Sequence, residues 1–153
     1  MTGWGAALDC PHRGVLGRDT TRAQWRHSGC GNAAEQIDGW RLATVGLEPP
    51  ILAALLRQAR DDGLPVASAL VRVATRHRLP DCSVLLTDGE DLAALAWGRP
   101  MYLLDLGGWE YVAAAEPPTD SPVDPDPLPA RSVLALSPCG QTRFALHPPE
   151  TYS

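Results

Sequence analysis

The chain contains no lysine, a single phenylalanine and no long apolar run. All 13 of its basic residues are arginines, and they are outnumbered by 18 acidic residues, so that the formal net charge is −5. General affinity for nucleic acid depends on a basic surface that neutralises phosphates, so we expect no nucleic-acid partner. Nothing approaches the roughly 20 apolar residues of a membrane span, so we expect no membrane association either.

The start of the sequence, Met1–Leu8, has neither the basic residues nor the apolar length of a secretory signal. We therefore predict a cytoplasmic protein, and we expect its four cysteines to be thiols because disulfides are rare in that compartment. With 153 residues, 44% of them apolar, the chain is long enough for one domain with its own core.

Three regions differ in their pattern. Residues 1–36 mix Gly, Arg, His and Trp without an apolar face, so we predict an irregular N-terminal segment. Residues 37–147 carry regular periodicity and form the predicted domain, and residues 148–153 are predicted to be a tail.

Two helices are predicted at the start of this domain. Pro50 suits a first helical turn, the apolar residues that follow it recur at helical spacing, and Gly63 is a natural stop. A second apolar stripe predicts a helix from Pro65 to about Arg78, where the next proline ends it.

The period then changes to that of strands. Asp88-Gly89 is the clearest hairpin signal in the chain. Residues 117–129 hold six prolines and three aspartates, so we predict an exposed loop there instead of a strand. Six strands are predicted from the short apolar runs: Cys82–Thr87, Asp91–Trp97, Met101–Leu106, Trp109–Ala115, Arg131–Ser137 and Thr142–His147. Two helices followed by an antiparallel β-meander predict the α+β class.

Several short motifs of this domain occur in an order that resembles a known family. The motifs are Leu85–Gly89, Ala96–Gly98, Tyr102, Val112–Pro117 and Leu128–Leu134, preceded by Asp38-Gly39-Trp40. The same succession is typical of class II glutamine amidotransferases, particularly the ergothioneine-biosynthesis branch. The match covers about residues 37–147, so the resemblance implies the C-terminal half of that family's αββα sandwich, the fold of N-terminal-nucleophile hydrolases.

The resemblance also implies a chemistry, the hydrolysis of a glutamine or γ-glutamyl amide. In such enzymes removal of Met exposes a cysteine whose own α-amine, titrating near neutrality, serves as its base. An Asn-Gly turn, preceded by His, donates hydrogen bonds to the oxyanion.

This sequence departs from the family at those positions. Position 2 is Thr2, the His-Asn-Gly positions hold Ala33, Ala34 and Glu35, and Glu48-Pro49-Pro50 replaces a Thr-Asp-Ser at the first helix. We therefore assign no catalytic residue, cofactor site or metal site. The prediction is a truncated or degenerate family member that is inactive alone.

Only one of the family's two sheets is expected, so its apolar face would be exposed. This predicts self-association or a partner protein that covers the sheet. The alternative function is a non-catalytic binding module that docks a partner through this half-sheet.

Two sets of residues in the N-terminal segment admit a functional interpretation beside a structural one. Thr2 is small enough to follow a removed Met and to act as a nucleophile, but no oxyanion turn accompanies it, so an ordinary second residue is favoured. Cys10, His12, His27 and Cys30 form a zinc-type ligand set, although their spacing is not that of a common finger. Scattered exposed residues are the favoured interpretation.

The predicted sheet also contains candidates. Trp97, Tyr102 and Trp109 could form an aromatic ledge for a ligand, but packing in the core is favoured. Cys82 is predicted to be a buried apolar residue, and Glu116, at the family's Glu-Pro position, is not assigned as catalytic.

Overall fold

The computed structural model describes residues 5–10, 13–17, 34–37, 39–59, 64–107, 110–115, 124–137 and 140–146. Side chains are described within 39–59, 64–105, 111–115, 124–137 and 140–146. These residues form the helices α1 (Pro49–Ala59) and α2 (Val66–Arg76). Their strands are β1 (Gly5–Cys10), β2 (Arg13–Gly17), β3 (Ala34–Ile37), β4 (Trp40–Val45), β5 (Cys82–Thr87), β6 (Leu92–Trp97), β7 (Tyr102–Gly107), β8 (Glu110–Ala114), β9 (Asp126–Pro127), β10 (Arg131–Ser137) and β11 (Gly140–Ala145).

The strands form two antiparallel sheets. The six-stranded sheet has the order β11-β10-β6-β5-β4-β3, and the five-stranded sheet has the order β1-β2-β8-β7-β9. The chain leaves the six-stranded sheet after β6, builds β7, β8 and β9 in the other sheet, and returns as β10, which pairs directly with β6. The connection at Gly98–Pro100 therefore carries the chain from one sheet to the other.

Both faces of the six-stranded sheet are buried at its central strands β5 and β6, and successive residues of a strand face opposite sides. On one face, Val84 and Leu95 pack with Leu70 of α2 in the larger core cluster. On the other face, Leu85 belongs to a second cluster that includes Leu103 of the five-stranded sheet. Every residue of β5 and β6 is buried, which explains their continuous apolar sequences. The described layers are helices, six-stranded sheet and five-stranded sheet.

The helices begin and end where local chemistry dictates. Two prolines open α1, where a missing N–H costs nothing, and Pro65 is the N-cap of α2 with an extended backbone. His77 is the C-cap of α2, and its N–H donates to the Val73 carbonyl at 3.0 Å. No helix in the described ranges combines the length and the apolar character that crossing a bilayer requires.

The α+β class, the two helices and the antiparallel strands are confirmed. The strands differ from the prediction in their arrangement, because they do not form one meander. β7 and β8 pair with each other in the five-stranded sheet, while β10 takes the place beside β6 that a meander would give to β7. Adjacency along the chain favours the meander, but it does not decide pairing when two sheets can both bury the same apolar runs.

The segment 1–36, predicted to be irregular, contributes β1, β2 and most of β3. β2 pairs with β8 from Arg13↔Ala114 to Leu16↔Tyr111, and β1 continues the sheet beyond β2. The sequences of these three strands show no alternation of apolar and polar residues. They could be identified only from their pairing with neighbouring strands. Because the five-stranded sheet is present, the apolar face that we expected to be exposed is covered: Leu85, Leu134 and Leu136 are at most 1% exposed.

The proline-rich loop also differs from the prediction. Asp126–Pro127 forms the two-residue strand β9 at the edge of the five-stranded sheet, where a missing N–H is tolerated. The next residue, Leu128, donates its N–H to the Met101 carbonyl at 2.8 Å and buries its side chain in the core between the sheets. Residues 116–123 lie outside the described residues.

Candidate functional site

The positions that would form the family's oxyanion turn lie in a regular strand. Ala34 and Glu35 belong to β3 and are paired with Ala43 and Leu42 of β4, while residue 33 lies outside the described residues. Consecutive N–H groups of an extended strand point in opposite directions, whereas an oxyanion site needs donors that converge. This stretch of β3 therefore does not form such a site.

The beginning of α1 is equally unsuited to bind an anion. Pro49 and Pro50 have no N–H, and the N–H groups of Ile51 and Leu52 both donate to the Glu48 carbonyl, at 3.1 and 3.3 Å. A helix N-terminus binds anions through free N–H groups, and this first turn has none to offer.

The other candidates of the N-terminal segment remain predictions. Thr2, His12, His27 and Cys30 lie outside the described residues, and Cys10 is described only through its backbone in β1. In the part of the chain whose side chains are described, no three His, Cys, Asp or Glu residues are grouped to hold a metal ion.

Trp97 is a core residue rather than part of a ligand ledge. It is 2% exposed, its Nε1–H donates to the Leu79 carbonyl at 3.2 Å, and the Arg131 guanidinium lies 4.5 Å from its ring centroid. Tyr102 is half-buried at the start of β7, and Trp109 lies outside the described residues. Of the three residues of the predicted ledge, the side chains of Trp97 and Tyr102 are described, and that of Trp97 packs into the core.

Cys82 is confirmed as a buried residue. Burial raises the pKa of its thiol to about 11; the Arg99 charge opposes this shift and the Asp81 charge adds to it. A buried thiol with a raised pKa is protonated at neutral pH, so Cys82 has neither the exposure nor the thiolate character of a reactive cysteine. Glu116 lies outside the described residues.

The Thr87–Asp91 connection is stabilised by its own side chains. The Thr87 hydroxyl donates to the Asp91 carbonyl at 2.7 Å and accepts from the Gly89 N–H at 3.0 Å. One Asp88 carboxylate oxygen accepts from the N–H groups of Glu90 and Asp91, at 2.9 and 2.8 Å. Burial raises the pKa of Asp91, with smaller contributions from Asp88 and Glu90. These groups satisfy one another, so we interpret the motif as structural.

The opposite end of the six-stranded sheet is tightly packed around Asp81. Gly46 and Gly98 both have positive φ, and a Cβ on either would collide with Asp81, on Gly46 with its carbonyl and on Gly98 with its carboxylate. Arg99 donates from Nε to the Asp81 carbonyl at 3.2 Å and would lie 2.6 Å from a Cβ on Gly46. This cluster locks the ends of β4, β5 and β6 together.

An open groove lies on the described surface between α2 and the edge strand β11. It encloses about 310 Å³ and is lined by Ser68, Val71, Arg72, Thr75, Arg76 and Phe144. Sequence reasoning did not identify it, because its residues come from distant parts of the chain. The one signal was a phenylalanine, the only one in the sequence, in a strand whose other residues are mostly polar. We refer to this feature as the α2–β11 groove.

No protein-family model matches the chain, and no curated protein matches its sequence. Among solved structures, it is similar to a glutamine aminotransferase class-II domain protein from Silicibacter pomeroyi. The TM-score is 0.64 at 12% sequence identity, and the alignment covers 95% of this chain and 92% of the other. The chain thus has the same type of fold as that glutamine aminotransferase class-II domain protein, in line with the sequence resemblance. The similarity extends over nearly the whole of both chains and is not confined to one half.

Proposed function

We propose that this chain is a degenerate member of the class II glutamine amidotransferase-like proteins that does not hydrolyse amides. The observation that carries the proposal is the placement of Ala34 and Glu35 in a paired strand, where the family would have its oxyanion turn. The proline-opened α1 supports it, since its first turn offers no free N–H group.

Degeneration is a better account than truncation. Both sheets contribute to the described fold, and 92% of the structural neighbour is aligned. The missing half that the sequence suggested therefore has no support. The ergothioneine branch remains a proposal about ancestry, supported by the ordered motifs between Leu85 and Leu134.

The direct test is release of glutamate from glutamine and from a γ-glutamyl amide. We expect the purified chain, Thr2→Ala and Thr2→Cys to release no more glutamate than buffer does, with equal thermal unfolding midpoints as evidence that all three are folded. Hydrolysis that Thr2→Ala abolishes would establish an N-terminal threonine enzyme and overturn the proposal. Hydrolysis that survives Thr2→Ala would overturn it as well, by revealing another nucleophile.

A second candidate function is a binding module, and one observation favours it. The sheet face that we expected to dock a partner is buried against the five-stranded sheet, so a partner cannot bind to that face. The edge of the same sheet at β11 is open, however, and Phe144 beside it is 37% exposed. A binding role is therefore supported at the sheet's edge and not at its face.

A further inference from the structure

The sheets have four described edge strands, and they differ in how well they are protected from further pairing. β9 has two residues including a proline, β3 has four residues, and the register of β1 against β2 shifts between Leu8 and Cys10. Short strands, prolines and bulges are the usual means of blocking an edge. β11 has none of these three: its six residues pair with β10 in an uninterrupted register, and its one charged side chain, Arg143, is paired with Asp126.

The backbone of β11 presents unpaired groups at alternate positions. The Leu146 N–H donates to the Arg131 carbonyl at 2.9 Å, which marks that pair as hydrogen-bonded. Bonded and non-bonded pairs alternate in an antiparallel ladder, so Phe144 and Thr142 also bond to β10. The N–H and C=O groups of 141, 143 and 145 then point away from β10, where no described strand pairs with them.

Side chains on the helix-facing side of β11 continue this edge into the α2–β11 groove. Phe144 contributes an apolar surface, Val71 faces it from α2, and Ser68 and Thr75 add hydroxyl groups. Thr75 already donates to the carbonyls of its own helix, at 2.8 Å to Val71 and 3.1 Å to Arg72. An unpaired backbone edge therefore lies directly beside a partly apolar groove.

The charge of the groove is opposite to that of the chain. The formal net charge of the chain is −5, yet the groove is lined by two arginines and by no acidic residue. Arg72 donates to the Ala59 carbonyl at 2.8 Å. Arg76 is exposed, and within the described residues no carboxylate pairs with it. The groove thus offers a guanidinium to an incoming anion.

We propose that β11 and the α2–β11 groove bind an extended peptide segment of a partner protein that carries a carboxylate side chain. The segment adds as a seventh strand to the six-stranded sheet, with its backbone bonded to 141, 143 and 145. Alternate side chains face the groove, so an apolar one contacts Phe144 and an acidic one pairs with Arg76. Backbone bonds supply affinity in this mode of recognition and the side-chain contacts supply specificity.

A second copy of this chain fits the site poorly in the register that pairs the most backbone groups. Symmetric antiparallel pairing of two β11 strands centred on residue 143, the middle of the three outward-facing positions, places the two Arg143 side chains directly opposite each other. Like charges at directly opposed positions destabilise a ladder. Each Arg143 is already bonded to Asp126 of its own chain at 2.6 Å. A foreign acidic strand avoids this repulsion.

The inference deepens the binding role proposed above and rests on it, but it does not depend on whether the chain hydrolyses amides. A positive glutamate-release assay would overturn the proposal of inactivity but not the peptide-binding proposal, and a failed peptide-binding assay would do the reverse. The probe is a fluorescent Val-Thr-Glu-Thr-Val-Thr peptide, whose alternate side chains put both valines and the glutamate on one face. Matched peptides carry Lys for Glu, or N-methyl groups on alternate backbone nitrogens.

Binding to the full chain is measured by fluorescence polarisation. We expect the Glu peptide to bind at least fivefold more tightly than the Lys peptide, and N-methylation to weaken binding at least tenfold. Arg76→Glu should reverse the preference toward the Lys peptide, whereas Arg57→Glu, on α1 and outside the groove, should leave it unchanged. Ala145→Pro, which removes an outward N–H, should weaken binding about tenfold, while Ala145→Gly should change it less than twofold.

Four results would overturn the proposal. No binding of the Glu peptide at millimolar concentration would do so, as would equal binding of the Glu and Lys peptides. Displacement of the peptide by acetate or phosphate at equal concentration would reveal a simple anion site. A dimer in sedimentation velocity that Ala145→Pro dissociates would show that a second copy occupies the edge. Unchanged thermal midpoints of the variants ensure that lost binding does not reflect lost folding.

Discussion

The two ends of the six-stranded sheet are built by different means. At one end, Gly39 and Gly89 adopt positive φ in open surroundings, with nothing within 4 Å of where a Cβ would be. At the other end, Gly46 and Gly98 adopt similar φ values but are closely packed against Asp81 and Arg99. At the first end hydrogen bonds within the Thr87–Asp91 connection stabilise the turn, and at the second end close packing does so. Replacing a positive-φ glycine therefore costs backbone strain at the first end, and backbone strain together with a steric collision at the second.

The largest effect is expected from alanine at Gly46, with Gly39 as the matched control. Their φ values are +86° and +87°, so both substitutions incur the same backbone strain. We expect Gly39→Ala to lower the free energy of unfolding by about 1 kcal/mol from that strain alone. Gly46→Ala should cost about 3 kcal/mol, because its Cβ also collides with the Asp81 carbonyl and with Arg99. Urea unfolding measures the free energy of unfolding of both variants. Equal losses would mean that close packing around Gly46 adds nothing to the backbone strain.

The next effect tests the packing of the second end through Trp97. Trp97→Phe leaves a small cavity and removes the donor to the Leu79 carbonyl, so we expect a loss of about 2 kcal/mol. Arg131→Ala removes only the cation above the ring and should cost about 0.5 kcal/mol. Both losses are measured from the urea concentration at the midpoint of unfolding, provided that the dependence of the unfolding free energy on urea is the same for the two variants. A Trp97→Phe loss no larger than that of Arg131→Ala would mean that the indole is not held by the core.

A smaller effect tests the hydrogen bonds of the first end. Asp88→Ala leaves the N–H groups of Glu90 and Asp91 without their shared acceptor, but both are near solvent, so we expect a loss of about 1 kcal/mol. Asp88→Asn retains an acceptor oxygen and should recover most of that loss. Thermal unfolding compares the two variants. If Asn is as harmful as Ala, the charge of Asp88 and not its geometry stabilises the turn.

The smallest effect concerns the raised pKa of Asp91. Burial disfavours its ionised form in the folded state, so ionisation costs stability as pH rises from the ordinary pKa of about 3.9 through the raised folded value. Asp91→Asn removes that cost. We expect the variant to be slightly more stable than the parent chain at pH 7, and the advantage to vanish at about pH 3, where both folded and unfolded Asp91 are protonated. Urea midpoints at the two pH values test this, and an advantage independent of pH would contradict it.

Much of the fold could be predicted from local pattern. The helices followed from prolines at their starts and from apolar stripes, and β5, β6 and β10 followed from short apolar runs. The lengths of the turns were harder to predict from local pattern than the helices and strands. Asp88-Gly89 suggests a two-residue hairpin, but Thr87 pairs with Leu92, so the connection has four residues. The Asp88 and Thr87 side chains bond to that backbone and stabilise the longer loop.

The other Asp-Gly pair does lie in a two-residue connection, since Ile37 pairs with Trp40. The same dipeptide thus gives different turns, depending on where the flanking strands find their partners. The pairing of β6 with β10 was beyond local pattern for the same reason. Which of two sheets a strand joins depends on the apolar faces of both, and no window of sequence contains them.

The α2–β11 groove could not be predicted because it depends on tertiary contact. Arg76 reads as an ordinary basic residue in the last turn of α2, and Phe144 as one apolar residue in a closing hairpin. Only the return of β10 and β11 to the six-stranded sheet brings Phe144 beside α2. The resemblance to a known family, by contrast, indicated the type of fold without any knowledge of strand pairing, although it implied only one of the two sheets.

The excursion of the chain between β6 and β10 has a kinetic consequence. The two strands pair only after residues 98–130 have formed a loop between them, and β2 finds β8 across a still larger separation. Closing such loops costs entropy before the contacts compensate for it, and domains dominated by distant pairings fold slowly, in milliseconds to seconds. The helices and the β5–β6 hairpin are local and can form early. We therefore expect completion of the two sheets, rather than formation of the helices, to limit the rate of folding.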